Sequence, residues 1–450
     1  MESKAGTLSL GRKFGYGLGD FGLNLHWQGM GLFLTFFQTE NMGLSPVWAG
    51  VTFFVAALWD GITDPIMGLI ADRTRGRWGS HRPYLLFGAV PLAASLALAF
   101  TAPGFTGPAA VMYGLATHML LRTTYTVVAI PYSSLSARMT SNADERTSLT
   151  GWRMQFAFLG GAVVSWMMPV LAKQFADLDG AQGYAAAAAI IGAVSAVAFV
   201  LCFLIVREQP VAASRMARNE GFWDDLKGFL ALVRRGGPTV QLYLCILISQ
   251  IMVPLQARNY LYFFKYGIGD MSRADQAMAL FGAINVLCVP LWVWLIRRTE
   301  KLTGFMVGGT LFAIGSLGFA VMPEWSYWGG FIPLAVACAG HTAYAVCIWA
   351  MLPDTVDWSE WRFRRRDEGK IFGLAAFLQK AALGLSGLLM AAVFHGFDVT
   401  KGQGEASEAG LRVVMGVIPL AGILAAMFIM RNYRLDLRRH AGIVERLGRR

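Results

Sequence analysis

The sequence predicts an all-α membrane protein: twelve transmembrane helices in two six-helix halves, with both termini in the cytoplasm. Three observations predict it. The 450 residues are 55% hydrophobic and only 15% charged, with a mean hydropathy of +0.48, where a soluble domain carries roughly 25% charged residues. Apolar runs such as 90–100, 185–206 and 413–430 recur along the chain, and about 20 apolar residues in a helix cross a bilayer core of roughly 30 Å. The third observation is one long polar connector, 207–237, containing "REQPVAASRMARNEGFWDDLKG". It divides the apolar runs six and six.

Hydropathy places the first six helices at about 14–38, 46–71, 83–102, 108–138, 147–175 and 184–206. The second six fall at about 238–266, 275–297, 302–322, 326–357, 369–395 and 409–433. The domains are therefore an N-terminal bundle over 1–206, a linker over 207–237, a C-terminal bundle over 238–433 and a basic tail over 434–450. Orientation follows from the connectors. "GRK", "DRTRGRWGSHR", "RMTSNADER", the linker, "RRTEK", "RFRRRDEGK" and the Arg-rich tail share one side. "QTENMGLS", "TAPGFTGP", "FADLDGAQG" and "KGQGEASEAG" share the other, almost without basic residues. Lys and Arg accumulate in cytoplasmic connectors, so both termini and the linker are expected inside.

The same distribution explains the net charge of +11. The basic residues mark topology, and no basic stripe interleaved with aromatics points to nucleic acid. The first apolar segment lacks a small-residue cleavage site and reads as a retained helix. Cys202, Cys245, Cys288, Cys338 and Cys347 all lie in apolar segments without disulfide or zinc spacing, as small packing residues. The six histidines show no metal spacing, and no H-E-x-x-H, G-x-S-x-G or P-loop is present. No enzyme and no organic cofactor are expected.

The halves resemble each other faintly. "YTVVAIPYSSLSARMTSNADER" pairs with "YAVCIWAMLPDTVDWSEWRFRRRDEGK", and "WDGITDPIMGLIADRTRG" with "INVLCVPLWVWLIRRTEK", Pro65 matching Pro290. Two repeated bundles with a site at their shared interface are the architecture of a secondary transporter. In this pairing Asp60 meets Asn285 and Asp64 meets Val289, so the carboxylates belong to the first half alone.

Charges inside the apolar segments are functional candidates by default, because each costs a few kcal/mol in the bilayer. Away from helix ends they are Asp20, Asp60, Asp64, Arg122, Arg153, Arg258 and Lys380. Asp60 and Asp64, four apart, project from one helix face. Two carboxylates so close take up protons or hold a cation between them, and Thr63 can add a neutral oxygen. The alternative is that both acids pair with arginines. Lys380 lies about ten residues beyond Lys370, too deep to snorkel easily, so Asp60 or Asp64 is its expected partner. Arg153 reads equally as a cytoplasmic gate or a ligand contact, Asp20 needs a polar partner or a ligand hydroxyl, and Arg122 and Arg258 are unassigned. Trp27, Trp59 and Trp349 are of a kind that stacks on sugar rings, although most such residues are core. At the cytoplasmic face Asp72, Arg73, Arg77, Asp354, Asp357 and Arg364 are expected to form salt bridges that break as the halves rock.

"YGLGDFG", "WDGITDPIMGLIADRTRGRWGSHRPYLLFG", "YTVVAIPYSSL", "ADERTSLTGWRM" and "LPDTVDWSEW…GKIFGLAAFLQK" stand in the order and spacing of the glycoside–pentoside–hexuronide:cation symporters. Across essentially its whole length the chain resembles that family, the melibiose-permease branch of the major facilitator superfamily. The resemblance implies the major facilitator fold and cation-coupled uptake of a sugar or glycoside in a bacterial inner membrane, with Na⁺ or H⁺ as the coupling ion. It implies a cation site at Asp60, Thr63, Asp64 and Thr126, with Asp60 and Asp64 as the metal ligands if the ion is Na⁺. It implies substrate contacts at Asp20 and Arg153, and a link between substrate and cation sites at Lys380. Gly19, Ala129 and Ser133 depart from the family pattern, where a lysine, an aspartate and a tryptophan stand, so a substrate other than a galactoside is expected. A lysolipid or amphiphile carrier is the alternative, and a non-transporting sugar sensor a remoter one. The expected partners are the bilayer and a small-molecule substrate, with the chain acting as a monomer.

Overall fold

The computed structural model describes residues 8–140, 143–175, 180–208, 236–321, 327–364, 368–401 and 404–448. The chain divides into two compact units. The first comprises Met1–Ser214 with Asp270–Val286, the second Arg215–Gly269 with Leu287–Arg450. All but the ends of the expected 207–237 linker lies outside the described residues.

The first unit begins with α1 (Leu10–Gly29), which continues through a π-helical turn, Met30–Leu34, into α2 (Thr35–Glu40). It follows with α3 (Pro46–Arg73), α4 (Arg82–Ala99), α5 (Gly107–Met139), α6 (Ala143–Gln174) and α7 (Gly180–Ile205). Local chemistry sets the starts. Ser9 caps α1 at the Arg12 N–H (3.4 Å), and Ser45 caps α3 at the Trp48 N–H (3.5 Å), with Pro46 in the first turn. Pro65, Pro91, Pro131 and Pro169 lie inside helices, as membrane helices tolerate when neighbours satisfy the freed carbonyls. In this unit α1 packs on α6 and α7, α3 on α5, and α4 on α5 and α7. Phe33, Phe37, Phe53, Phe100 and Phe199 fill the space between them.

The second unit holds α8 (Pro238–Arg258), extended through a short turn and the π-helical Phe263–Ile268. Then come α9 (Ala274–Arg298), whose first part belongs to the other unit, α10 (Lys301–Val321), α11 (Tyr327–Phe363) and α12 (Glu368–Gly396). The run α13 (Glu405–Arg412), Val413–Val417 in π geometry and α14 (Ile418–Met430) forms one last long rod before α15 (Leu437–Gly448). Phe305, Phe312, Tyr344, Ile348, Ile423 and Met430 build the core, and Ile443 brings α15 onto it.

Ten helices among the described residues are long and apolar enough to cross a membrane. The α1–α2 rod and α5 are not among them, although their positions agree with the sequence reading. The reason is composition: the first carries Asp20 and His26, and α5 carries His118, Arg122 and five threonines and serines between 123 and 134. These polar groups turn inward, since His26, His118 and Arg122 are fully buried.

Helices in lipid attract one another by close packing, which small residues permit. The contact between α10 and α11 shows this. A Cβ on Gly340 would overlap the backbone of Phe312, and one on Gly315 the backbone of Ala337. Gly340→Leu is therefore expected to force α10 and α11 apart at a cost of at least about 1–3 kcal/mol. The check is the melting temperature of the detergent-solubilised protein, which should fall by several degrees; an unchanged value contradicts this packing.

Candidate functional site

Asp20, Asp60, Asp64, Arg122 and Arg153 of the first unit fall into two clusters. The first lies between α3 and α5. The Arg122 guanidinium donates from Nη1 to Asp60 Oδ2 at 2.7 Å, and the Thr126 hydroxyl donates to Asp64 Oδ1 at 2.8 Å. Both rungs join residues 62 apart, so the two helices run parallel here and their i, i+4 faces meet in register. Asp60 and Arg122 are 1% and 0% exposed, while Asp64 is half-buried. The guanidinium also lies 5.1 Å from the Trp27 ring and 5.4 Å from the Phe53 ring, and its Nε reaches His118 Nε2 at 3.4 Å. Thr63 donates its hydroxyl to the Trp59 carbonyl (3.1 Å). The Trp59 indole in turn donates to Thr123 Oγ1 (2.9 Å).

The second cluster joins α1, α5 and α6. Arg153 holds Asp20 through its Nε, and its Nη2 lies 3.5 Å from the other carboxylate oxygen. The Tyr132 hydroxyl reaches the Tyr16 carbonyl (2.6 Å) and Asp20 Oδ2 (3.1 Å). Its ring stacks on Tyr16 at 4.8 Å and lies 5.2 Å from the Arg153 guanidinium. Gly19 acquires a physical role here, because a Cβ at this position would overlap the Tyr132 ring. The other two departures are plain: Ala129 is partly buried, and exposed Ser133 spends its hydroxyl on the Ile130 carbonyl (2.8 Å).

The structure thus joins Asp64 to Thr126 and Asp20 to Arg153, as the sequence grouped them. It places Asp60 on a partner the sequence reading left unassigned. Arg122 stands four residues before Thr126, the spacing that separates Asp60 from Asp64, and that matched spacing was the available signal. Tyr132 was missed altogether, as was His118. Lys380 is partly buried on α12, in the other unit. Arg258, also in that unit, is 1% exposed. No group of three or more His, Cys, Asp or Glu able to hold a metal ion occurs among the described residues.

A model of the family described as MFS/sugar transport protein matches residues 15–437. The chain belongs to this family. It is 29% identical over 452 residues to the uncharacterized symporter YnaJ of Bacillus subtilis (strain 168), covering 98% of this chain and 96% of that one. It is 26% identical over 439 residues to the isoprimeverose transporter of Lactiplantibacillus pentosus, covering 94% and 88%. Among solved structures, a bacterial homologue of the human lysosomal transporter Spinster, inward-facing and unoccupied, superposes with a TM-score of 0.68 at 14% identity over 95% and 98% of the two chains. That likeness concerns the fold, which is of the major facilitator type. The resemblance read from the motifs is borne out, and members of the MFS/sugar transport family are integral membrane transporters, not enzymes.

Of the residues this transporter's sequence marks for the cytoplasmic face, the Asp72 side chain lies outside the described residues. Arg73, Arg77 and Arg364 are exposed, and Arg77 stacks on Trp78 at 4.2 Å. Lys301 Nζ donates to both Asp354 oxygens (2.8 and 2.7 Å), and Asp357 faces His440 of α15 at 3.0 Å. The bridges of the second unit therefore use Lys301 and His440, which the sequence reading did not single out. The first unit holds a device no motif announced. Glu208, just after α7, accepts the backbone N–H groups of Ser80 (3.0 Å), His81 (2.8 Å) and Arg82 (2.8 Å). It caps α4 from a distant part of the chain, where the helix dipole favours an anion. Gly79 sits at φ 101° beneath it, and a Cβ there would strike the carboxylate.

Burial alone would push the Glu208 carboxyl up. The His81 imidazole and the three N–H donors outweigh it and lower the value from 4.5 to about 2. A group depressed by folding stabilises the fold fully above its unfolded value and loses that contribution as the pH falls through the folded one. Stability at the α4 start is therefore expected to decline between pH 4.5 and about 2. Glu208→Gln should cost about 1–2 kcal/mol at neutral pH and flatten that decline, both measurable as melting temperature against pH; a variant as acid-sensitive as the parent contradicts the assignment.

Proposed function

We propose that this chain is a secondary active symporter that takes up a sugar or glycoside together with Na⁺ or H⁺ across a bacterial inner membrane. The observation that carries the reading is the parallel ladder between α3 and α5. It sets two carboxylates side by side in an apolar layer, one bonded to a hydroxyl and one to a guanidinium. Groups so expensive to bury are kept for ion pathways and relays. The names of the relatives support the same reading, YnaJ as a symporter and the L. pentosus protein as a transporter of the sugar isoprimeverose.

In this reading Asp64 and Thr126 take the coupling ion. Asp20 and Arg153 present an acceptor and a forked donor, the combination a sugar's hydroxyls call for, and Tyr132 holds Asp20 in place. Lys380 links the two events from the second six-helix half. The α1–α2 rod and α5 join the ten apolar helices as twelve spans, six in each half around the 207–237 linker, with both termini cytoplasmic. The carrier works as a monomer by alternating access. The ion and the sugar shift its equilibrium only by binding the two states unequally. The bridges Lys301–Asp354 and His440–Asp357 hold one state and release in the other.

Asp64→Asn should abolish accumulation of the substrate in membrane vesicles, by about 100-fold or more relative to the parent, while leaving insertion and yield unchanged. The measurement is uptake of labelled pentosides, hexuronides and disaccharides under imposed Na⁺ and H⁺ gradients. Unchanged accumulation in the variant removes Asp64 from the ion site. Absence of gradient-driven uptake of any saccharide by the parent removes the symporter reading.

A further inference from the structure

We infer that Arg122 is the ion-selectivity residue of the carrier: its guanidinium fills, at Asp60, the place an alkali cation would need, so Na⁺ and Li⁺ are excluded until Arg122 is removed. The inference rests on the symporter reading and narrows its coupling ion. Asp60 and Asp64 by themselves suit a small hard cation, with two negative oxygen donors on one helix face and a third oxygen from Thr126. The structure spends one of those carboxylates. Arg122 Nη1 lies 2.7 Å from Asp60 Oδ2, the length of a charge-assisted bond. The pair cancels its own charge, so the face no longer offers two carboxylates to a metal ion.

The guanidinium is also fixed in place. It is 0% exposed, and two aromatic rings, Trp27 and Phe53, present their faces to its cation at 5.1 and 5.4 Å. His118 approaches its Nε at 3.4 Å. For an alkali ion to reach Asp60, Arg122 would have to leave its carboxylate while still buried, and a buried charge that loses its partner is strongly penalised. An ion entering beside an undisplaced Arg122 would meet a like charge within a few ångströms at low dielectric, where repulsion is largest. Both routes disfavour Na⁺. A donor set that fits Na⁺ on its carboxylate spacing thus fails on its second neighbour.

The test is calorimetric titration of the purified full-length protein with NaCl and LiCl against choline chloride, in the absence of sugar. The parent should give no saturable heat. Arg122→Gln should gain saturable Na⁺ or Li⁺ binding, tighter by about tenfold or more than any residual signal of the parent, and Asp60→Asn placed on top should abolish it. Arg122→Lys keeps a cation on Asp60 and should behave as the parent. Should Arg122→Gln prove unstable alone, its melting temperature should rise with NaCl but not with choline chloride, because the ion then takes the place of the missing guanidinium. Saturable Na⁺ binding by the parent that Asp60→Asn removes overturns the inference, as does an Arg122→Gln protein that neither binds nor is stabilised by Na⁺ or Li⁺. Since no arm contains sugar, failure of saccharide uptake would strike the symporter reading and leave these results standing.

Discussion

Burying a charge in an apolar helix bundle requires a partner held at bonding distance, and that constraint organises the first unit. Asp60 and Arg122, at 1% and 0% exposure, stand only because α3 and α5 run parallel in a register that places 60 on 122 and 64 on 126. A shift of one residue in that register would turn each rung about 100° off the shared face and leave buried charges bare. The pair therefore fixes the helix contact as much as the helix contact fixes the pair. The Asp20–Arg153 pair plays the same part between α1 and α6, with Tyr132 of α5 bonded to it. Through α5 the two clusters share one element, so movement of that helix relative to α1 or α3 would be felt by both.

Close apolar packing is prominent in the second unit. Its core is aliphatic and aromatic, and its helices approach through glycine, as at Gly315 and Gly340. Among its polar contacts, Lys301–Asp354 joins α10 to α11 and His440–Asp357 joins α15 to α11. The asymmetry fits the faint internal repeat, in which Asp60 and Asp64 have Asn285 and Val289 as counterparts.

Much of the fold was legible because hydropathy reports directly on which segments can form membrane-crossing helices. Helix positions read from apolar runs agree with the structure to within a few residues for most segments. The π-helical turns at Met30–Leu34 and Val413–Val417 were not legible, since neither carries a proline or another local signal. In the candidate site, four residues that the motifs single out lie together in pairs, Asp64 with Thr126 and Asp20 with Arg153. Arg122 was visible as an oddity but not as a partner, because partner choice depends on helix–helix register, which no single helix encodes. Glu208 was invisible for a similar reason. It caps a helix more than a hundred residues earlier, and only the folded chain brings them together.

In the proposed mechanism, movement of a sugar is tied to movement of a cation at Asp64. Purified carrier in sealed proteoliposomes, with no ion gradient imposed, allows a direct test: a saccharide gradient is applied and internal pH and internal Na⁺ are followed together. The account predicts that the entering sugar drives a cation inward against no gradient of its own, and that Asp64→Asn vesicles show no such cation movement. Sugar entry by the parent protein with neither H⁺ nor Na⁺ following it would contradict the account.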